Sequence, residues 1–311
     1  MVVGVAAVVL VLPDLFGLDH RTPFAQLVWL RPYLLLPLSV VLLVLGVLAA
    51  RRPRVLWPTV VVLAVVVVVG AVLVVPRFVP TAVPDGGRSI TVVAFNTFNG
   101  AAAVDEVAAL LREERPDVVA LVEAGESFRS RLAPLVEPAG YRLITEVGPA
   151  GDDDVNGVTV AVAAHLGEVR STRIRGMPFP AVQVEGGGLG PLRFVAYHSV
   201  APRYGDVWQW RADLQQVPRW CGGGGPAVVA GDFNATLDYS LLRSATRGCS
   251  NAADQRGQGL VPSWPSWLPD WVGPQIDHVF ATDPIVAEHF AMREITGSDH
   301  RAVIARLRLP A

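Results

Sequence analysis

Residues 227–234 read Ala-Val-Val-Ala-Gly-Asp-Phe-Asn. Four apolar residues and a glycine lead straight into a carboxylate, Asp232, with an amide, Asn234, two positions on. A short apolar run without polar alternation reads as a buried strand. The polar pair then lies where that strand meets a loop, and loops on a rigid sheet are where catalytic groups tend to sit. The same arrangement recurs on both sides of this stretch. Ser89–Phe98 reads as a strand carrying Asn96 near its end, and Asp117–Val122 as one followed by Glu123. Leu192–His198 ends in His198, and Ile276–Ala281 opens on Asp277 and His278. Gly297-Ser298-Asp299-His300 stands just before a last strand, Ala302–Leu307.

Between these runs lie Gly157–Ala163, a further strand, and two helices. Val104–Glu114 has apolar residues at 104, 107, 110 and 111, the spacing of one helix face. Asp206–Trp220 reads as a helix capped by Asp206. The class is mixed α/β, and residues 88–311 are long enough for one domain with a large core. Gly186–Gly188 and Gly222–Gly225 read as connectors, because neither leads from a strand into a helix as a phosphate loop should.

The N-terminal quarter is different. The chain has 311 residues, 51% hydrophobic and 17% charged, where soluble domains carry about 25% charged residues. This excludes a disordered chain, a collagen-like fibre and a basic nucleic-acid tail. Leu56–Val75 holds 20 residues without a charge, about the length that crosses a hydrocarbon core. Residues 34–50 form a second such run. Met1–Leu12 begins a third, expected to span over residues 1–18. A signal peptide would need a basic start and a small-residue cleavage site, and neither is present. Residues 1–76 are thus an anchor of two to three transmembrane helices, and 77–87, rich in proline and glycine, a linker. Arg51, Arg52 and Arg54 lie between the two clear spans, and positive loops stay cytoplasmic. The expected location is the cell membrane, multi-pass, with the C-terminal domain on the extracytoplasmic side and the lipid bilayer as a partner. No obligate protein partner is evident. Cys221 and Cys249, the only cysteines, form a disulfide there or stay as two buried thiols. A transport path is disfavoured, because Asp14 is the one acid near the spans.

The strand-end residues define a chemistry. Asn96, Glu123, Asp232 and Asp299 offer hard oxygen ligands, which suit Mg²⁺ or Mn²⁺ rather than zinc. A divalent ion beside two histidines suits phosphoryl chemistry. The ion offsets phosphate charge, a carboxylate orients water, and an imidazole stabilises charge or protonates the leaving oxygen.

At these positions the sequence resembles the endonuclease/exonuclease/phosphatase superfamily, the fold of pancreatic deoxyribonuclease and abasic-site endonucleases. The resemblance covers roughly Ser89 to Leu309. Its strongest motifs are Gly231-Asp232-Phe233-Asn234 and Gly297-Ser298-Asp299-His300, with Ile276-Asp277-His278 between them. It implies a two-sheet α/β sandwich and a metal-dependent phosphoesterase. By position, it implies Glu123 as a metal ligand with Asn96 and Asp299 in the same shell. It implies Asp232 as the aspartate on the nucleophilic water and Asn234 as its phosphate-binding neighbour. His300 matches the histidine on the scissile phosphate, Asp277 its carboxylate partner, and His198 a second histidine. Which histidine acts as acid stays open.

Two positions depart from the pattern. Val122 stands where glutamine usually precedes the glutamate, and Ala163-Ala164-His165 replace a polar strand end. The metal set looks intact, while the substrate rim is not that of a recognisable nuclease. Trp264, Trp267 and Trp271 lie in a proline-rich loop, read as a cover for the sheet or as a wall for substrate. Arg203 is a candidate second phosphate contact. Asp152-Asp153-Asp154 reads as a solvated loop tip. The remaining 26 acids and 21 arginines beyond residue 76 leave that part at −5, so no general basic footprint for a polyanion exists. The substrate is a phosphate ester, nucleic acid or phospholipid. A phosphomonoester, or a non-catalytic binding role, is the alternative.

Overall fold

A computed structural model describes residues 2–51, 55–149, 151 and 153–310. Arg52, Arg54 and Asp152 of the readings above lie outside the described residues. The N-terminal quarter comprises α1 (Val2–Val11), α2 (Arg31–Arg51) and α3 (Trp57–Val74), the last continued by a tight turn, Val75–Phe78. Two helices, Val28–Arg51 and Trp57–Phe78, are long and apolar enough to cross a membrane. Their apolar side chains point outward, Leu36 and Val72 among the most exposed. The expected first span is shorter than its apolar run. Pro13 lacks an N–H and sets φ for a new turn, so α1 stops at Val11. Ten residues make about 15 Å, half of a hydrocarbon core.

Helices α2 and α3 pair antiparallel. A Cβ on Gly70, late in α3, would come within 2.4 Å of Leu35, early in α2, so glycine is what lets the two helices approach. Both domain-facing ends are tied to the C-terminal domain. Arg31 at the start of α2 is fully buried and pairs with Asp14 and Asp238. Arg77 makes a two-pronged bond to Asp238 at 3.0 and 3.1 Å. Arg77 was expected in the linker, but burial of its charge against Asp238 makes it part of the contact, and the exposed connection starts at Val79. Residues 12–30 do not hang free either. Val28 packs into the core of the C-terminal domain, and Tyr239 donates to the Ala25 carbonyl at 2.8 Å.

Two six-stranded sheets make the C-terminal domain. The first runs β11-β12-β1-β2-β4-β3, from β1 (Arg88–Asn96), β2 (Val118–Val122), β3 (Tyr141–Val147), β4 (Gly157–Ala163), β11 (Val286–Glu294) and β12 (Arg301–Leu309). The second runs β5-β6-β7-β8-β10-β9, from β5 (Arg170–Ile174), β6 (Ala181–Glu185), β7 (Arg193–His198), β8 (Ala227–Asp232), β9 (Cys249–Asn251) and β10 (Asp277–Thr282). Valines, alanines and Phe194 of the inner faces fill the space between them. Helices α4 (Val104–Glu114) and α5 (Glu126–Val136) cover the outer face of the first sheet. Helices α6 (Val207–Leu214), α7 (Pro218–Cys221) and α8 (Ser240–Ala245) cover the second, and α9 (Ala252–Gln255) packs at one edge. This is a two-sheet α/β sandwich.

Two local expectations change, and one open alternative is decided. The run 206–220 breaks before Pro218 into α6 and α7, and Asp206 precedes α6 without a side-chain capping bond. Asp154 is not a solvated tip: its Oδ1 accepts the N–H groups of Gly125 and Phe128 at 2.9 Å, at the start of α5. Cys221 and Cys249 are bridged.

Candidate active site

Strand direction brings the polar ends to one rim. β1 runs parallel to β2 and β7 parallel to β8, so their C-terminal ends deliver Asn96, Glu123, His198 and Asp232 together. β10 and β12 run antiparallel to β8 and β1, so their starts return to the same rim with Asp277 and His300. Asp232 pairs in register with His198 on one side and Asp277 on the other. Gly231 makes this possible. Its φ is +146°, and a Cβ there would lie 1.9 Å from the Tyr197 carbonyl oxygen.

The buried Asp232 carboxylate receives three donors: Asn96 Nδ2 at 3.0 Å, Asn234 N at 2.8 Å and Asn234 Nδ2 at 3.2 Å. Asn234 adopts a left-handed φ of 47°, which asparagine tolerates better than most residues. Its amide also donates to Ser199 O. Asn96 bridges two acids, because the same Nδ2 lies 3.1 Å from Glu123 Oε1. Its oxygen is engaged by the Phe98 N–H at 2.9 Å. Asn96, expected in the metal shell through its oxygen, therefore presents its NH₂ to the carboxylates. Glu123 is itself left-handed at φ 53°, a costly backbone for a non-glycine. Its Oε2 is fixed by the Asn99 N–H at 2.7 Å.

The two histidines sit in contrasting surroundings. His300 Nδ1 is 2.8 Å from Asp277 Oδ2, and Nε2 faces Asp232 and Asp299 at 3.9 and 3.8 Å. Burial alone would lower its pKa, but the Asp277 charge and hydrogen bond, with Asp232 and Asp299, outweigh it and push it up to about 10. His198 is stacked on Phe179 at 4.2 Å, with Nε2 3.8 Å from both Glu123 and Asp232. Burial first, then the neighbouring His300, lower it to about 3. Asp232 is raised to about 8 by burial and by Asp277.

Asp299 accepts the Trp264 indole N–H at 2.9 Å through Oδ2. Its Oδ1 is buried without a partner, as is Asp277 Oδ1. Trp267 meets Trp264 edge-on at 6.4 Å and is 68% exposed. Arg203 lies exposed on the loop after His198 and forms no ion pair among the described residues. His278 points away, bonded to Ala235 O and Asn251. Phe179 and Ser298 were not singled out in the sequence. Ser298 Oγ ties the His300 N–H to the Asn96 carbonyl, and its place inside Gly-Ser-Asp-His was the available signal. Phe179 carried none.

The endonuclease/exonuclease/phosphatase family model matches residues 93–300, which contain every one of these groups. The chain belongs to the endonuclease/exonuclease/phosphatase family. It is therefore an enzyme of the ester-hydrolase class, in a family of divalent-metal phosphoesterases. Solved structures share the fold at low identity. A humanized D. rerio TDP2 superposes with a TM-score of 0.56 at 15% identity, covering 71% of this chain and 99% of that one. An endonuclease/exonuclease/phosphatase from Beutenbergia cavernae gives 0.53 at 21%, covering 72% of each chain. The human Nocturnin catalytic domain, with bound sulfate, gives 0.54 at 18%, covering 76% and 99%. No curated protein matches.

The donor set suits the divalent metal of this family. Asp232, Asp277 and His300, whose polar atoms lie within 4.8 Å of one another, are engaged with each other, which leaves Glu123 and Asp299 as the carboxylates open to a cation. The unpartnered Oδ1 atom of Asp299 is the kind of buried oxygen that a hard cation satisfies.

Proposed function

We propose that this chain is a membrane-anchored, extracytoplasmic phosphodiesterase that uses Mg²⁺ or Mn²⁺. The observation that carries the reading is the convergence of Glu123, Asp232, Asp277 and Asp299 with His198 and His300 on one rim. Glu123 and Asp299 would hold the ion, with Asn96 orienting Glu123. Such an ion offsets charge on the phosphate.

The protein groups divide the remaining work. Asp232, with its affinity for a proton raised, takes one from the attacking water, and Asn96 and Asn234 hold it in place. His300, held cationic by Asp277, donates through Nε2 to a phosphate oxygen. His198, neutral in its buried stack, hydrogen-bonds the phosphate without competing for that proton. Arg203 and Trp267 lie toward the substrate side, and Trp264 acts through Asp299.

The anchor reading rests on the outward-facing apolar surface of α2 and α3, which only lipid would cover. Both domain-facing ends of the hairpin lie at the C-terminal domain, so Arg51, which closes α2, is at the far end. By the positive-inside rule the domain is extracytoplasmic. A nucleic acid is the competing substrate class: a D. rerio TDP2 structure of the same fold, at 15% identity and a TM-score of 0.55, is complexed with single strand DNA product.

The test uses the full chain in nanodiscs with bis(4-nitrophenyl) phosphate and Mn²⁺ or Mg²⁺. Hydrolysis abolished by EDTA and by His300→Ala is expected. Hydrolysis that survives both sinks the reading.

A further inference from the structure

We propose that the active-site mouth opens onto the bilayer surface, and that the scissile phosphate ester is carried on a membrane lipid. This rests on the phosphodiesterase and anchor readings above and names the substrate class for that site.

Two loops beside the site are fastened to the residues that lead into α2. The Tyr33 hydroxyl, in the first turn of α2, accepts the Gly273 N–H at 3.0 Å and lies 3.0 Å from the Trp271 and Gly273 carbonyl oxygens. Gly273 is four residues before Asp277, so their Cα atoms are at most about 14 Å apart. The Pro274 carbonyl then accepts the N–H groups of Ser263 and Trp264, and the Trp264 indole reaches Asp299. On the other loop, Gln26 Nε2 donates to the Pro202 carbonyl, four residues after His198. The same limit of about 14 Å applies. The start of α2 is therefore joined to the site through one short loop on each side.

The exposed apolar surface of the C-terminal domain coincides with these loops. Beyond residue 87, six large hydrophobic side chains are exposed among the described residues: Phe98, Tyr204, Trp208, Trp267, Leu268 and Trp271. Phe98 follows Asn96. Tyr204 and Trp208 follow His198. Trp267, Leu268 and Trp271 follow Trp264. None lies on the opposite end of the sandwich. A water-facing enzyme rarely gathers its exposed aromatics at one mouth, whereas Trp and Tyr favour the membrane–water interface. The rim is continuous with Trp29 and Tyr33 at the base of the hairpin, which line a cavity together with Trp271.

The test uses the full chain reconstituted in vesicles of two phosphodiester lipids, phosphatidylcholine and phosphatidylglycerol. Soluble comparators are bis(4-nitrophenyl) phosphate and a single-stranded oligonucleotide. In wild type, brominated phosphatidylcholine quenches rim tryptophan emission, and Trp271→Ser removes part of that quenching. The double variant Tyr204→Ser with Trp271→Ser loses about tenfold or more of vesicle-borne turnover and keeps its rate on bis(4-nitrophenyl) phosphate. An active chain whose quenching is unchanged by Trp271→Ser, or one that cleaves the oligonucleotide but neither lipid, overturns this proposal alone. A quenched chain inert toward every phosphate ester overturns the phosphodiesterase reading, and the lipid substrate with it.

Discussion

The indole N–H of Trp264 donates to Oδ2 of Asp299 across 2.9 Å. That leaves Oδ1 of the same carboxylate buried and without a hydrogen bond, 3.8 Å from His300 Nε2. Partners that orient a metal ligand from behind are typically worth 10–100-fold in metal affinity. Trp264→Phe should raise the half-saturating Mn²⁺ concentration at least about tenfold, with the maximal rate largely recovered at high metal. A metal titration of the reaction checks this, and an unchanged midpoint removes Asp299 from the metal shell.

Asp277 is the largest influence raising the His300 pKa against the effect of burial. A raised value keeps the imidazolium through neutral pH, and the acid form is lost as pH climbs past it. Asp277→Asn removes the main stabilising charge, so the alkaline limb of the pH–rate profile should move to lower pH. The rate at pH 8 should fall about 100-fold or more. A profile that keeps its alkaline limb would separate Asp277 from the protonation of His300.

Asp254 shows the opposite sign for stability. Burial first, then Asp238, push its pKa up to about 6, despite Arg77. The folded state thus binds this proton more tightly than the unfolded chain, whose carboxylate titrates near pH 4. The stability it contributes is present below pH 4 and is lost as pH rises through 6. Asp254→Asn should therefore stabilise the protein at pH 7.5, by up to about 3 kcal/mol, and give no gain at pH 4. Thermal unfolding at the two pH values reads this directly.

Arg31 is fully buried between Asp14 and Asp238 and also donates to the Val11 carbonyl. Arg31→Ala leaves two buried carboxylates short of a partner, and such losses cost about 3–5 kcal/mol. The unfolding midpoint in nanodiscs should fall accordingly, with Arg31→Lys recovering part of it. A neutral outcome would mean that Arg77 and Arg243 suffice for both acids.

Much of this architecture was readable from local pattern. β1, α4, β2, β4, β8 and β12 announce themselves because their apolar runs are continuous or helically spaced. The site residues stand at the ends of those same runs, so reading the strands locates the rim. The missed elements include β3, β6, β9, α5, α8 and α9, besides two edge strands that show one reason. β5, Arg170–Ile174, is a half-exposed edge strand in which polar residues dominate, and β11 alternates around a bulge at Ala287/His289. Neither carries a strong apolar signal. The remaining surprises are made by contacts between residues far apart in the chain. Asp154 meets the start of α5, Phe179 stacks on His198, and Val28 enters the core of a domain that begins some 60 residues later. No periodicity encodes such partners.

The docking of residues 12–33 separates covalent attachment from physical attachment. A protease that nicks the exposed stretch after Phe78 would sever the chain without shedding the enzyme. The catalytic half would still be gripped by Asp14 on Arg243, by Arg31 and Arg77 on Asp238, and by Val28 in its core. Separating the two fragments would require breaking that buried ionic clasp, so the cleaved protein would persist as a two-fragment enzyme.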